Sequence, residues 1–242
     1  MRKSIWPAVL LALIGGFVDA LGYLVLARLF TAHMSGNSAA LGAYLGRGEW
    51  TKAWLRLMPI PAFALGGAAG ATVVTFAHRL NLRAQLAPAF VLELLLLAGF
   101  QALFPSTWMA PGASPFTLWG LASLLSAAMG VQAATLRRVG RERVTTTFVS
   151  GMLIDTVEEG VAWAFEAKGT KARRERRTHA LLFAAIYFSF LAGAVMGSAS
   201  ETRWGERALF APMVALIIVA IEQEVRGRDA ADSAPKLQGT KT

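Results

Sequence analysis

The chain of 242 residues contains no cysteine. That excludes a disulfide framework, a zinc–thiolate site and a thiol nucleophile. Histidine is scarce as well. His33, His78 and His179 lie far apart and show no metal-ligand spacing. Charged residues make up 16% of the chain, against about 25% in an ordinary soluble domain. No G-x-x-x-x-G-K-[ST], H-E-x-x-H or G-x-S-x-G motif is present. These absences speak against a soluble enzyme. The expectation is a protein that is not an enzyme and holds no metal or cofactor.

What fills the chain instead is apolar: 55% of its residues are hydrophobic and the mean hydropathy is +0.48. The charges cluster and leave long apolar runs between them, the pattern of a polytopic membrane protein. Eight apolar segments can be marked, at about 5–27, 30–46, 54–77, 87–104, 115–136, 145–165, 180–199 and 207–221. A spanning helix needs roughly 20 residues. The second segment is short and polar at its start, and the sixth carries Asp155, Glu158 and Glu159. The start MRKSIWPAVLLALIGGFVDA imitates a signal peptide, but Asp19 sits badly beside a cleavage site. It reads as an uncleaved first span.

Lysine and arginine favour the cytoplasmic side. If the two weak segments turn back without crossing and both termini are inside, 18 of these residues lie inside and 6 outside; eight crossings would give 15 and 9. The sequence therefore predicts an all-α protein of the bacterial cytoplasmic (inner) membrane. It would have six transmembrane helices plus two short re-entrant or broken helices. One integral membrane domain would cover residues 1–225, with halves at about 5–104 and 115–222. The polar tail 226–242 would be disordered. Three spans per half make the second half inverted relative to the first, an architecture many secondary transporters use.

Internal similarity agrees. TAHMSGN at 31–37 is echoed by TTFVSGM at 146–152, and at an offset of 115 residues 10–37 share eight identities with 125–152. Gly66-x-x-x-Gly70 is answered by Gly193-x-x-x-Gly197, and Ala87-Pro88 by Ala211-Pro212. Backbone that leaves helical geometry inside a bilayer must bury its freed N–H and C=O groups in protein or face water. Gly36 and Gly151 permit unusual torsions, and Ser35, Asn37 and Ser150 can cap helix ends. Both phrases read as tips of re-entrant helices.

The blocks GGFVDALGYLVLARLFTAHMSGN and MGVQAATLRRVGRERVTTTFVSGM resemble the YoaK-like family, uncharacterised bacterial membrane proteins classed as a domain of unknown function. The resemblance covers nearly the whole chain and implies an integral membrane protein with about six spans. It implies no substrate and no catalytic residue. Members carry Gln-Asn-Ala where this chain has Gln132-Ala133-Ala134, so one polar group of the family pattern is missing here.

Several residues are candidates for a solute path. Asp19 lies deep in the first span, where a carboxylate costs about 2.5–3.5 kcal/mol on insertion scales; it either faces a path or makes a structural bond, to Arg28 or a neighbouring helix. Glu93 is a lone acid in a strongly apolar segment, open to proton coupling or to an interhelical hydrogen bond. Gln132 can bridge helices, and His33 can relay protons or act as a plain hydrogen-bond partner. Asp155, Glu158 and Glu159 share one helical face and read best as a solvated face pairing with Arg137–Arg143. The run KARRERR reads as a topology signal, with no nucleic-acid role. The leading function is a small-solute transporter or channel whose path includes Asp19, His33, Ser35, Gly36, Asn37, Glu93, Gln132, Ser150, Gly151 and Asp155. The alternative is a non-transporting scaffold or regulator acting through the basic loop 166–178. A membrane enzyme using Asp19 and Asp155 has no supporting nucleophile or base. The expected partners are the lipid bilayer, a small solute or ion, and a second copy of the chain in a homo-oligomer.

Overall fold

The structure, a computed structural model, describes residues 6–104, 115–139 and 149–232, and no strand occurs among them. The first helix, α1 (Trp6–Val25), is almost wholly apolar apart from Asp19. A short connection leads to α2 (Met34–Gly46) and α3 (Trp50–Leu57), and α4 (Pro59–Arg79) follows after Met58 alone. Pro59 explains that break. It has no N–H to continue the helix of α3, but its fixed φ suits the first turn of α4. Pro88 plays the same part in α5 (Ala87–Leu103). The remaining helices are α6 (Pro115–Val139), α7 (Val149–Phe165), α8 (Lys171–Trp204) and α9 (Phe210–Asp232), the last two joined by a 3-10 turn at Gly205–Leu209. Gly205, at φ 56° and ψ −137°, takes a backbone conformation open in practice to glycine alone, and it ends α8.

Four stretches among the described residues are long and apolar enough to cross a membrane: Trp6–Val25, Trp50–Arg79, Phe116–Arg137 and Lys171–Val225. The last contains both α8 and α9, and Ala87–Leu103 is a shorter apolar helix. At 34 residues α8 is about 51 Å long. It exceeds the ~30 Å hydrocarbon layer, and the polar start KARRERRT supplies about 12 Å of the surplus. Helix α9 runs to Asp232, seven residues into the stretch read from sequence as a disordered tail. The tail's first residues, RGRDAAD, hold no proline and only one glycine, so nothing local stops the helix there.

Packing is organised by glycines at two close helix crossings. In the first, α4 meets α6. A Cβ on Gly66 would lie 2.1 Å from the Ala127 carbonyl oxygen, and one on Gly70 would lie 3.0 Å from Val131 Cα. Reciprocally, a Cβ on Gly130 would lie 2.1 Å from the Phe63 carbonyl oxygen. In the second, α8 meets α1. Cβ atoms on Gly193 and Gly197 would lie 2.0 and 2.4 Å from the carbonyl oxygens of Leu13 and Phe17, and one on Gly16 would lie 2.0 Å from that of Phe190. Backbones this close are held by dispersion and weak Cα–H···O contacts, which in lipid must replace the hydrophobic effect. Polar contacts bind the same elements. Ser189 donates to the Val9 carbonyl at 2.8 Å, the Trp6 indole donates to Glu222 at 2.6 Å, and Gln101 donates to the Glu206 carbonyl at 2.6 Å. Thus α1 sits against α8 and α9, and α6 against α4 and α5.

Candidate functional site

The chain reverses sharply after α1. Arg28 N–H reaches back to the Tyr23 carbonyl at 3.0 Å. Ala27 and Arg28 both take left-handed torsions, φ 50° and 61°. Neither is glycine, so each costs about 1 kcal/mol or more that surrounding contacts must offset. Those contacts come from Asp19 and Asn37. Asp19 Oδ1 accepts from the Thr31 amide at 2.8 Å, the Thr31 hydroxyl at 3.2 Å and the Ala32 amide at 2.6 Å. Its Oδ2 meets His33 Nδ1 at 2.5 Å. Asn37 clasps the other end: its amide donates to the Phe30 carbonyl at 2.7 Å and its Oδ1 accepts from the Phe30 amide at 3.2 Å. Thr31 and Asn37 are fully buried and Asp19 nearly so. Gly22 makes room for this loop, since a Cβ there would lie 2.6 Å from Thr31 Cγ2.

Asp19 precedes the end of α1 by six residues, about 9 Å of rise. The loop is therefore drawn back alongside α1, and α2 starts at the level of Asp19, not at the helix end. Between α1, α8 and this loop lies a cleft of about 500 Å³. Asp19, His33, Ser35 and Gly36 line it, with Tyr23, Phe30, Phe190 and Ser198 among the others. The rings form a chain: Tyr23 stacks on Phe30 at 4.7 Å, Phe30 meets His33 at 5.7 Å, and His33 meets Phe190 at 5.4 Å. The sequence reading named none of Tyr23, Phe30, Phe190 and Ser198, and nothing in their spacing distinguishes them from other apolar or small residues.

The sequence-based candidates separate into three places. Asp19, His33, Ser35 and Gly36 meet at the cleft, while Asn37 is buried behind it, where it braces the loop. Of the structural partners open to Asp19, Arg28 or a neighbouring helix, Arg28 is corrected: the loop amides and His33 take its place. Arg28 lies over the Tyr23 ring at 5.4 Å, and its carbonyl accepts from Arg56. Its left-handed backbone and exposed side chain leave Asp19 to the loop amides.

Glu93 and Gln132 form the second place, across α5 and α6. Gln132 Nε2 donates to Glu93 Oε1 at 2.9 Å, and neither residue lines the cleft. Both are fully buried, and Glu93 Oε2 has no hydrogen-bond partner among the described residues. Removing one member should therefore cost more than removing both. Gln132→Leu is expected to lower stability by about 2–4 kcal/mol. The double variant Glu93→Leu/Gln132→Leu is expected to recover most of the loss. Thermal unfolding of the three proteins in detergent checks this, and additive losses would refute it.

Ser150, Gly151 and Asp155 form the third place, on α7. Thr146 and Arg141–Arg143 lie outside the described residues. One member of the acidic face expected to pair with Arg137–Arg143, Glu159, meets α8: Arg176 donates to it at 2.8 Å. Arg173 adds to this seam, donating to the Glu166 carbonyl and lying 5.0 Å over the Trp163 ring. A short connection folds α7 back on α8, which brings the acids to KARRERR. The seam occupies the polar start of α8, so the α7 N-terminus with Ser150 and Gly151 lies alongside the apolar part of α8.

The family described as "Protein of unknown function (DUF1275)" matches residues 7–221, nearly the whole chain. The chain belongs to the DUF1275 family. It is also similar to "UPF0700 transmembrane protein YoaK" of Bacillus subtilis (strain 168), 28% identical over 150 residues, which is 62% of this chain. The match spans 64% of that relative's length. No solved structure matches. With the apolar helices described above, this DUF1275 member is a transmembrane protein.

Proposed function

We propose that this DUF1275 protein moves a small solute across the cytoplasmic membrane through the cleft between α1 and α8. The observation that carries the reading is the loop pinned by Asp19. It returns polar backbone about 9 Å along α1 and opens it onto a cavity of about 500 Å³. Irregular backbone at membrane depth is tolerated where it lines a cavity or is buried in protein, and cavities of this size suit small-molecule ligands.

Six crossings, α1, α4, α5, α6, α8 and α9, fit this reading, with α2 and α7 as half-inserted helices. So does an inverted repeat. The glycine crossings support it by their register. Leu13, Gly16 and Phe17 correspond to Ala127, Gly130 and Val131, each 114 positions on. Phe63, Gly66 and Gly70 correspond to Phe190, Gly193 and Gly197, each 127 positions on. The polar phrases instead repeat at 115, so the connection after α6 is one residue longer than that after α1. On the 114 register Asp19 corresponds to Ala133, which leaves the polar path one-sided. The distribution of lysine and arginine supports an orientation with both termini in the cytoplasm. The regulatory alternative draws less support, because two arginines of its basic loop are engaged by α7, Arg173 by the Trp163 ring and Arg176 by Glu159.

The test is uptake by proteoliposomes from a panel of labelled amino acids, sugars, nucleobases and organic ammonium compounds. Ser198→Trp should fill the cleft and abolish uptake, while Leu191→Trp on the exposed side of α8 should leave it unchanged. Undiminished uptake by a well-folded Ser198→Trp protein would overturn the reading.

A further inference from the structure

The lining of the cleft narrows the class of solute. Three of its walls are aromatic side chains, Tyr23, Phe30 and Phe190, linked through the His33 ring at centroid separations of 4.7–5.7 Å. Its acidic group is Asp19, and no lysine or arginine is among the lining residues. Aromatic faces attract cations through their quadrupoles, with up to about 2 kcal/mol per contact in desolvated sites. This set of rings already holds one, since the Arg28 guanidinium sits over Tyr23. An anion entering would meet the Asp19 carboxyl group, and the basic groups nearby, His33 and Arg28, are already held by Asp19 and by the Tyr23 ring. The two oxygens of Asp19 are unequally committed. Oδ1 accepts three hydrogen bonds from the loop, whereas Oδ2 meets only His33. Oδ2 is the less committed oxygen, and a bound positive charge would share it with His33.

We propose that the cleft takes small organic ammonium ions, held by cation–π contacts to Phe30 and Phe190 and by the Oδ2 edge of Asp19. This names the substrate class of the transport site and rests on that reading. The hydroxyls of Ser35 and Ser198 give such a solute two further hydrogen-bonding groups at the mouth of the cleft.

The test uses protection of a thiol. The native chain has no cysteine, so Ser35→Cys places a single thiol on the lining, and its rate of maleimide labelling in nanodiscs reports occupancy. Choline and tetraethylammonium should slow labelling. Dimethylbutanol, the uncharged carbon isostere of choline, should not, and nor should the corresponding dimethylbutanoate. Phe190→Leu should raise the choline concentration for half-protection about fivefold, while Phe188→Leu, on the exposed side of α8, should leave it unchanged. Phe30→Leu serves the same purpose as Phe190→Leu if the latter fails to fold. Protection by the alcohol or the carboxylate as strong as that by choline would overturn the ammonium assignment and leave the transport reading standing. If no compound protects the thiol and uptake by the wider panel ignores Ser198→Trp, both are overturned.

Discussion

Gly130→Ala is expected to unfold or severely destabilise the protein, while Gly120→Ala, ten residues earlier on the same helix, is expected to be harmless. The difference lies in what a methyl group meets. At Gly130 a Cβ would stand 2.1 Å from the Phe63 carbonyl oxygen and 2.8 Å from the Gly67 amide nitrogen. Both are backbone atoms, which cannot rotate away as a side chain can. The helices α4 and α6 would have to separate along their whole crossing, with loss of the dispersion contacts that hold them. Overpacking of this kind costs about 1–3 kcal/mol even where side chains can yield, so a larger loss is expected here. Gly16→Ala should behave alike, its Cβ falling 2.0 Å from the Phe190 carbonyl oxygen. At Gly120 nothing lies within 4 Å, and alanine should gain about 0.5–1 kcal/mol from helix propensity. Thermal unfolding in detergent separates the two outcomes. A Gly130→Ala protein that melts with the wild type would mean that the close crossing does not exist.

Asp19→Ala is expected to release the loop 26–33, and Asp19→Asn to retain it. Alanine strips acceptors from the Thr31 amide and hydroxyl, the Ala32 amide and His33 together. Thr31 and Ala32 are buried, and each orphaned amide costs about 1–3 kcal/mol. The combined loss should reach roughly 3–5 kcal/mol. Asparagine keeps an Oδ1 for the three loop donors and gives up only the acceptor facing His33. Two readouts check this: the melting temperature, and the maleimide labelling rate of Ser35→Cys, which should rise in the alanine background alone. Equal behaviour of the two variants would show that Asp19 does not pin the loop.

Much of this was visible in the residues, and the gaps have physical causes. The polar phrase TAHMSGN announced a break in helical geometry, and a lone aspartate in an apolar helix announced a buried bond. Its partners were another matter. They lie 12–14 residues ahead and become neighbours only because the chain turns back at Ala27–Arg28. That turn carries no glycine or proline, so the sequence marks the end of the first apolar segment near residue 27 but not the reversal of the chain. Glu93 and Gln132 each stood out as polar residues in apolar segments. Their pairing spans 39 positions and two helices, beyond the reach of any periodicity. The Gly-x-x-x-Gly pairs signalled close packing but not with which helix. For Asp155, Glu158 and Glu159 the shared face followed from spacing. The arginine they would meet depended on how the α7–α8 connection folds: Glu159 meets Arg176, while Arg141–Arg143 lie outside the described residues.

The placement of α1 bears on how such a chain is made. Its tight partner, α8, begins at Lys171, so during synthesis the glycine face of α1 must wait in the bilayer while most of the protein is still being translated. The same holds in reverse for α6, whose partners α4 and α5 are already present when it emerges. Neither half, expressed by itself, contains the mate of its own first helix. Two separately encoded fragments divided between α5 and α6 would each need the other to reach a native state, so this fold is completed by exchange, not by adding one finished unit to another.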